Sequence, residues 1–317
     1  GIIIKKQTNP NGALPRRSLN LLPVPPPATS VRIGEKIAKG GSGATIYKGT
    51  CGARPVAIKL LLLDAPATLP HHREGLLKEA SLMCRLRHYN IVKFLGYEEV
   101  ETADGLQARL YMELCDASLQ SLVQARSAAR TPWTELAVAT SILDIALGLR
   151  YLHSQNIMHR DLKSANIFVD VGGSQDRLTA RRCVLGDLEL CRVLTAYEAP
   201  ETPTTTPNYM APEMWTFGPY GLPADIWSLG MIAYELIALQ VPYGEDSFLP
   251  QIEDQVTSGV LPSLEPSMEH DFPQVLALAQ SCAQVEATNR PTAEKVCEVL
   301  QTKFQEQASD PWRPVSA

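Results

Sequence analysis

The chain has 317 residues, 45% of them hydrophobic and 20% charged, enough apolar material for one large domain or two lobes with separate cores. Its net charge of −5 gives no support to wholesale nucleic-acid binding, and it holds no apolar run of about 18 residues that would form a complete membrane span. The seven cysteines, Cys51, Cys84, Cys115, Cys183, Cys191, Cys282 and Cys297, are odd in number and scattered without C-x-x-C spacing, which fits reduced thiols in a cytosolic setting better than a disulfide framework or a zinc site.

The first residue is Gly1 and not Met, so the expectation is a piece of a longer protein. Gly1-Ile-Ile-Ile-Lys-Lys6 reads either as the end of a membrane helix followed by cytoplasmic lysines, or as an edge strand at a boundary. Asn9 to Ser30, rich in Pro, Asn and Ser with Pro25-Pro26-Pro27 near its end, reads as an extended linker, with a PPII ligand for an SH3 or WW domain as the alternative.

Val31 to Leu63 has the pattern of strand, turn, strand, turn, strand. Its first turn, Ala38 to Gly49, is glycine-rich, and glycines let a backbone approach phosphates closely and offer bare N–H groups to them. The β-rich run Val56-Ala57-Ile58-Lys59 follows. Glu74 to Arg87 is predicted as a helix, since Leu76, Leu77, Ala80, Met83 and Leu86 recur at three- and four-residue steps. Two strands are predicted over Ile91–Glu98 and Ala108–Leu114, separated by a turn at Glu101–Gly105 whose local signal is Asp-Gly. Thr134 to Gln155 carries a wide apolar stripe on a long helix.

Ile157 to Val169 is the most informative stretch. Asp161, Lys163 and Asn166 are grouped too tightly for a strand or helix face, so a loop held between two short strands is expected. A carboxylate can take a hydroxyl proton, a cation can neutralise a transferring phosphoryl group, and an amide oxygen can ligate Mg²⁺. Farther on come Val184-Leu-Gly-Asp187-Leu188-Glu189-Leu190, a threonine-rich segment closing on Thr206-Pro-Asn-Tyr-Met-Ala-Pro-Glu213, a nearly all-apolar helix over Leu222–Leu239 with Asp225 near its start, and a last helix from Thr292 to Gln305.

His159-Arg160-Asp161-Leu162-Lys163-x-x-Asn166 resembles the catalytic loop of eukaryotic protein kinases. The glycine-rich turn with Val56-Ala-Ile-Lys59, the segment at Asp187, the Ala211-Pro212-Glu213 ending, Asp225 and Asn289-Arg290-Pro291 stand in that family's order, so the resemblance covers about Val31 to Gln305. It implies an α+β, bilobal kinase-like fold. A small β-rich lobe with one key helix would span 31–112, a hinge 113–117, and a larger, mainly helical lobe 118–305, with 306–317 as a tail. The features of the C-terminal part are similar to the tyrosine-kinase-like group of Ser/Thr kinases, with dual specificity left open.

The resemblance also implies roles. Asp161 would accept the substrate hydroxyl proton, Lys163 would neutralise the γ-phosphoryl group, and Asn166 and Asp187 would ligate Mg²⁺, or Mn²⁺ in its place. Lys59, held by Glu79 nine residues before His88, would position the phosphates. ATP would contact Ala38, Gly40, Gly41, Gly43 and Ile46 of the glycine turn, together with Ala57 and Phe168. Met112 would be the gatekeeper, with Glu113 to Cys115 as the hinge. The glycine turn departs from the family pattern: Ala38 stands where the first Gly is usual, and a second register places Gly41 and Ala44 in the motif.

His153 and His159 are read as structural, with His159 packing its ring under the metal-binding loop. Arg160 would await a phosphate on Thr202, Thr204 or Thr205, placed there by an upstream kinase or by autophosphorylation. Thr206 would complete a Ser/Thr-type pocket with Asp161 and Lys163. Asp225 would brace the catalytic loop, and Arg290 would pair with Glu213. Protein substrates are the expected partners, with no nucleic acid, and the location is cytoplasmic unless a membrane span precedes Gly1. Glu189 is the main departure, since Gly is expected there and a Cβ can carry a conformational penalty of roughly 1–2 kcal/mol. It leaves open an alternative: a nucleotide-binding pseudokinase acting as a scaffold or allosteric module.

Overall fold

Runs containing Val, Ile, Leu and Tyr build the first sheet in the computed structural model, which describes residues 31–39, 43–64, 70–172, 179–193, 206–216, 219–245 and 247–304. The segments 1–30 and 305–317, Gly40, Gly41, Thr202, Thr204 and Thr205 lie outside the described residues. The chain divides between Cys115 and Asp116 into two compact units.

In the first unit, β1 (Val31–Lys39), β2 (Thr45–Cys51), β3 (Arg54–Leu62), β4 (Phe94–Thr102) and β5 (Gly105–Glu113) form an antiparallel sheet of order β1-β2-β3-β5-β4. β3 is central, and its run from Val56 to Leu61 is buried on both faces. The β2–β3 turn is two residues long and starts at Gly52, whose φ of +64° is the left-handed conformation that glycine adopts without a Cβ clash.

The predicted Asp-Gly turn between β4 and β5 is present. It is tighter than expected, because Thr102 pairs with Gly105 directly. The ladder therefore runs farther into the polar Glu98–Glu101 stretch than hydropathy alone suggests, and β4 begins at Phe94 and not at Ile91.

One helix, α1 (Pro70–Met83), packs on this sheet. The sequence placed it about one turn later. It starts early because Pro70 pre-sets φ and needs no N–H partner in a first turn. It ends early because Arg85 and Leu86 donate to Leu82 and Met83 in tight i→i−3 bonds. The predicted stripe of Leu76, Ala80 and Met83 is buried.

The second unit contains β6 (Ala117–Ser118), α2 (Leu119–Ala129), α3 (Glu135–Ser154), β7 (Ile157–Met158), β8 (Ile167–Gly172), β9 (Thr179–Leu185), β10 (Arg192–Val193), α4 (Pro212–Trp215), α5 (Leu222–Ala238), α6 (Leu249–Thr257), α7 (Pro266–Asp271), α8 (Pro273–Cys282) and α9 (Ala293–Phe304). Thr134 caps α3 through a bond from Ala137 N–H to its hydroxyl, so that helix begins where the sequence places it. By length and composition α3 could cross a membrane, yet most of its apolar length is buried inside the unit, where it packs on α5, α8, α9 and β9. α5 is buried from Ala224 to Ile237, as its apolar composition requires. Two-residue strands β7 and β10 pair, and β8 lies between β6 and β9, so the Asp161 loop is anchored at both ends as expected.

Candidate active site

Each unit carries its own group of candidate functional residues. In the first, Lys59 on β3 and Glu79 on α1 form an ion pair of 2.8 Å, with side chains 2% and 1% exposed. Charges this deeply removed from water persist only when paired, so loss of either partner would leave the other as an uncompensated buried charge. Ala57 and Met112 are buried opposite one another in the β3–β5 register. Glu113 N–H donates to Lys93 O at 3.0 Å, and its side chain accepts from Lys93 N–H at 2.7 Å. That N–H is thus committed to the β4 approach, and a hinge role for Glu113 rests on its carbonyl. Cys115 follows, half-buried. Ala38 is exposed in β1 opposite Ile46, and Gly43, in the connection between β1 and β2, adopts φ +77°.

In the second unit, four residues of the predicted set join in one hydrogen-bonded knot. Lys163 Nζ donates to Asp161 Oδ2 at 2.8 Å and to Thr206 Oγ1 at 2.7 Å. Thr206 N–H reaches Asp161 Oδ1 at 3.3 Å. Asn166 Nδ2 donates to both the Asp161 carbonyl, at 2.8 Å, and Oδ2, at 2.9 Å. With its nitrogen turned inward, the amide of Asn166 aims its oxygen the other way, as a hard cation would need.

Gly186 explains how Asp187 is approached. A Cβ on Gly186 would lie 2.1 Å from the Phe168 ring, so only glycine lets that ring rest against the backbone there. Asp187 itself takes φ 50° and ψ 66°, left-handed values that aspartate tolerates better than most residues. Glu189 does not show the conformational penalty expected of it. It sits in a 3₁₀ turn over Leu188–Leu190, and it is not among the described residues with positive φ. The left-handed residue is Asp187, two positions earlier.

Asp225 braces the loop as expected. Its Oδ2 accepts from His159 N–H and from His153 Nε2, both at 2.8 Å, and its Oδ1 accepts from Arg160 N–H at 3.0 Å. Arg160 has φ 71°, a strained value held in place by this carboxylate. Burial pushes the Asp225 carboxyl upward most strongly, but the His153 bond and the charges of His153 and His159 outweigh it and leave it below the usual carboxylate range. The His159 ring is buried and its Nε2 meets Gly186 O at 3.1 Å, under the Asp187 segment. Arg160 Nη2 donates to Tyr220 Oη at 2.9 Å. Glu213 and Arg290 form a two-pronged pair, both bonds 2.7 Å.

The sequence reading missed one group. Glu235, a second carboxylate in the apolar helix α5, accepts from Ser164 Oγ at 2.6 Å and from Tyr209 Oη at 2.9 Å. It thereby ties the Asp161 loop to the Thr206 segment. The available signal was a charge at the far end of a helix that otherwise buries every face.

Burial pushes the Glu235 carboxyl up to about 7, against the downward pull of its two hydroxyl donors. The folded state therefore holds this proton more tightly than the unfolded chain does. The stability it contributes is complete below the ordinary glutamate range and is lost as pH rises through about 7. The Glu235→Gln variant should accordingly lose less stability than the parent between about pH 5 and about pH 8, by an amount of order 3 kcal/mol at most. Parallel melting curves across that range test this, and equal slopes would exclude it. Asp225, shifted downward, acts only in acid and with the opposite sign.

Residues 31–304 match the family described as "Protein kinase domain". "Kinase and exchange factor for Rac B" of Dictyostelium discoideum is 31% identical over 281 residues, covering 86% of this chain and 24% of that protein. "Serine/threonine-protein kinase CTR1" of Arabidopsis thaliana is 30% identical, covering 86% of this chain and 32% of that protein. "Raf homolog serine/threonine-protein kinase" of Caenorhabditis elegans is 30% identical over 82% of this chain and 31% of its own length. The chain thus spans about a quarter to a third of these relatives. With a buried lysine–glutamate pair, a braced Asp-Leu-Lys-x-x-Asn loop and a match across nearly its full length, the chain belongs to the protein kinase domain family.

Proposed function

We propose that this chain transfers the γ-phosphoryl group of ATP to Ser/Thr hydroxyls of protein substrates. The observation that carries the reading is the Asp161–Lys163–Asn166–Thr206 knot. It sets a cation and an amide within bonding distance of one carboxylate, and Thr206 shapes the place where an incoming hydroxyl would sit. Asp161 orients that hydroxyl and accepts its proton, while Lys163 faces the charge that develops on the transferring group. Lys59, fixed by Glu79, steadies the nucleotide phosphates. Asn166 and Asp187 supply oxygen donors suited to Mg²⁺, and a bound Mg²⁺ would neutralise phosphate charge.

Relatives named as Ser/Thr kinases support the choice of acceptor. Lys163, bonded to Thr206, supports it independently. The scaffold alternative rested on Glu189 together with the irregular glycine turn; the ordinary backbone at Glu189 removes the conformational part of that motive, and the relatives named as Ser/Thr kinases do not favour it. The test is transfer of labelled γ-phosphate to a generic protein substrate, followed by identification of the phosphorylated residue type. Label on Ser or Thr supports the reading, and nucleotide binding without transfer refutes it. The scattered cysteines support a cytosolic setting.

Phosphorylation within the threonine-rich segment, by another kinase or by this chain, would act through Arg160. Replacing Thr202, Thr204 and Thr205 together with Ala should then lower transfer by about tenfold or more, the scale of one or more charge-assisted bonds. Unchanged transfer in the triple variant would exclude that control.

A further inference from the structure

The α1 stripe that buries Leu76, Ala80 and Met83 begins with a charge, Arg73, at the same helical spacing. Arg73 meets Glu99 of β4 as a two-pronged pair, with Nε to Oε1 at 2.9 Å and Nη2 to Oε2 at 2.6 Å. Tyr97, 5% exposed, donates its hydroxyl to the same Oε1 at 2.8 Å and so fixes the carboxylate from the sheet side.

The register places this group relative to Lys59. Lys59 opposes Leu110, and Leu110 opposes Tyr97, so Lys59 and Tyr97 lie on one face of the sheet. Glu99, two residues beyond Tyr97, shares that face. Glu98, on the opposite face, is engaged separately by Tyr111 and Arg109. The helix is therefore attached to one sheet face by two ionic points, Glu79 to β3 and Arg73 to β4, about 9 Å apart along its axis. A helix held at one such point can still pivot about it, whereas two points on different strands fix its rotation and its tilt.

We propose that Arg73 is a positioning residue, whose clamp on Glu99 holds α1 in the rotation that delivers Glu79 to Lys59. Its bond to Glu99 raises the basicity of Arg73 further. The clamp is partly open to water, with Arg73 36% and Glu99 21% exposed, so its effect is graded.

The kinetic half of the test rests on the phosphotransfer reading, and the exchange half does not. The full chain is compared with Arg73→Ala, Glu99→Gln and the exchanged pair Arg73→Glu with Glu99→Arg, each also in a Glu79→Ala background. Arg73→Ala and Glu99→Gln should lower kcat/KM for ATP by about fivefold and leave KM for the protein substrate unchanged. The exchanged pair should recover most of the loss. In the Glu79→Ala background the Arg73 substitution should have no further effect, because the group through which it acts is gone. Hydrogen exchange of the α1 amides in residues 74–83 should quicken by a similar factor in both single variants.

A loss that persists undiminished without Glu79 would overturn the proposal, as would unchanged α1 exchange. Absence of transfer in the parent chain would instead refute the phosphotransfer reading, and α1 exchange would still decide the role of Arg73.

Discussion

Asp161→Asn should lower kcat for phosphate transfer by about 10²–10⁴-fold, the range that a positioned general base supplies. The substitution keeps the size of the side chain and removes its charge and its ability to take a proton. Lys163 and Asn166 both direct donors at Oδ2, so the variant also places an amide where two donors expect a carboxylate. Lys59 and Glu79 belong to the other unit and are untouched, so nucleotide affinity should stay within about threefold, a free-energy change of under about 1 kcal/mol. Single-turnover transfer combined with a direct nucleotide-binding measurement separates the two quantities. Transfer retained to more than about a tenth would remove Asp161 from the role of base. Equal losses of binding and transfer would point to collapse of the loop and not to missing chemistry.

The largest effect on stability is expected at Arg290. Its side chain is fully buried, and it donates to both oxygens of Glu213 and to the carbonyls of Pro223, Gln284 and Val285. Its guanidinium also lies 5.3 Å from the Trp227 ring centroid. Arg290→Ala leaves a largely buried carboxylate and three carbonyls without that donor, which should destabilise the second unit by about 3–5 kcal/mol. For a unit of this size that corresponds to a fall in its melting temperature of roughly 6–20 °C. Arg290→Lys should recover less than half of it, because an ammonium cannot reproduce the planar fork. Calorimetry that resolves the two units is the direct measurement, and a shift below about 2 °C would show that the pair is not holding this region together.

Local chemistry was legible wherever a function needs particular side chains at short spacing. The Asp161, Lys163, Asn166 cluster, the Lys59 strand, the caps and limits of α3, and the burial of α5 all follow from period, propensity and residue type. Boundaries were less legible where a single turn sets them: α1 lies one turn earlier than its stripe suggests, and the Thr102–Gly105 pairing carries β4 into charged sequence. Glu189 looked anomalous by type, yet its backbone is ordinary and the left-handed position belongs to Asp187.

Residue type and order along the chain were enough to identify the protein kinase domain family, its β-rich and helical parts, and the grouping of Asp161, Lys163 and Asn166 in one loop. Tertiary structure alone decided two further pairings of charge with partner: Glu235 with Ser164 and Tyr209, and the partly buried Arg73 with Glu99. The reason is physical. A charge taken out of water must find its complement in space, and those complements lie on strands and helices whose separation in sequence carries no trace of their contact.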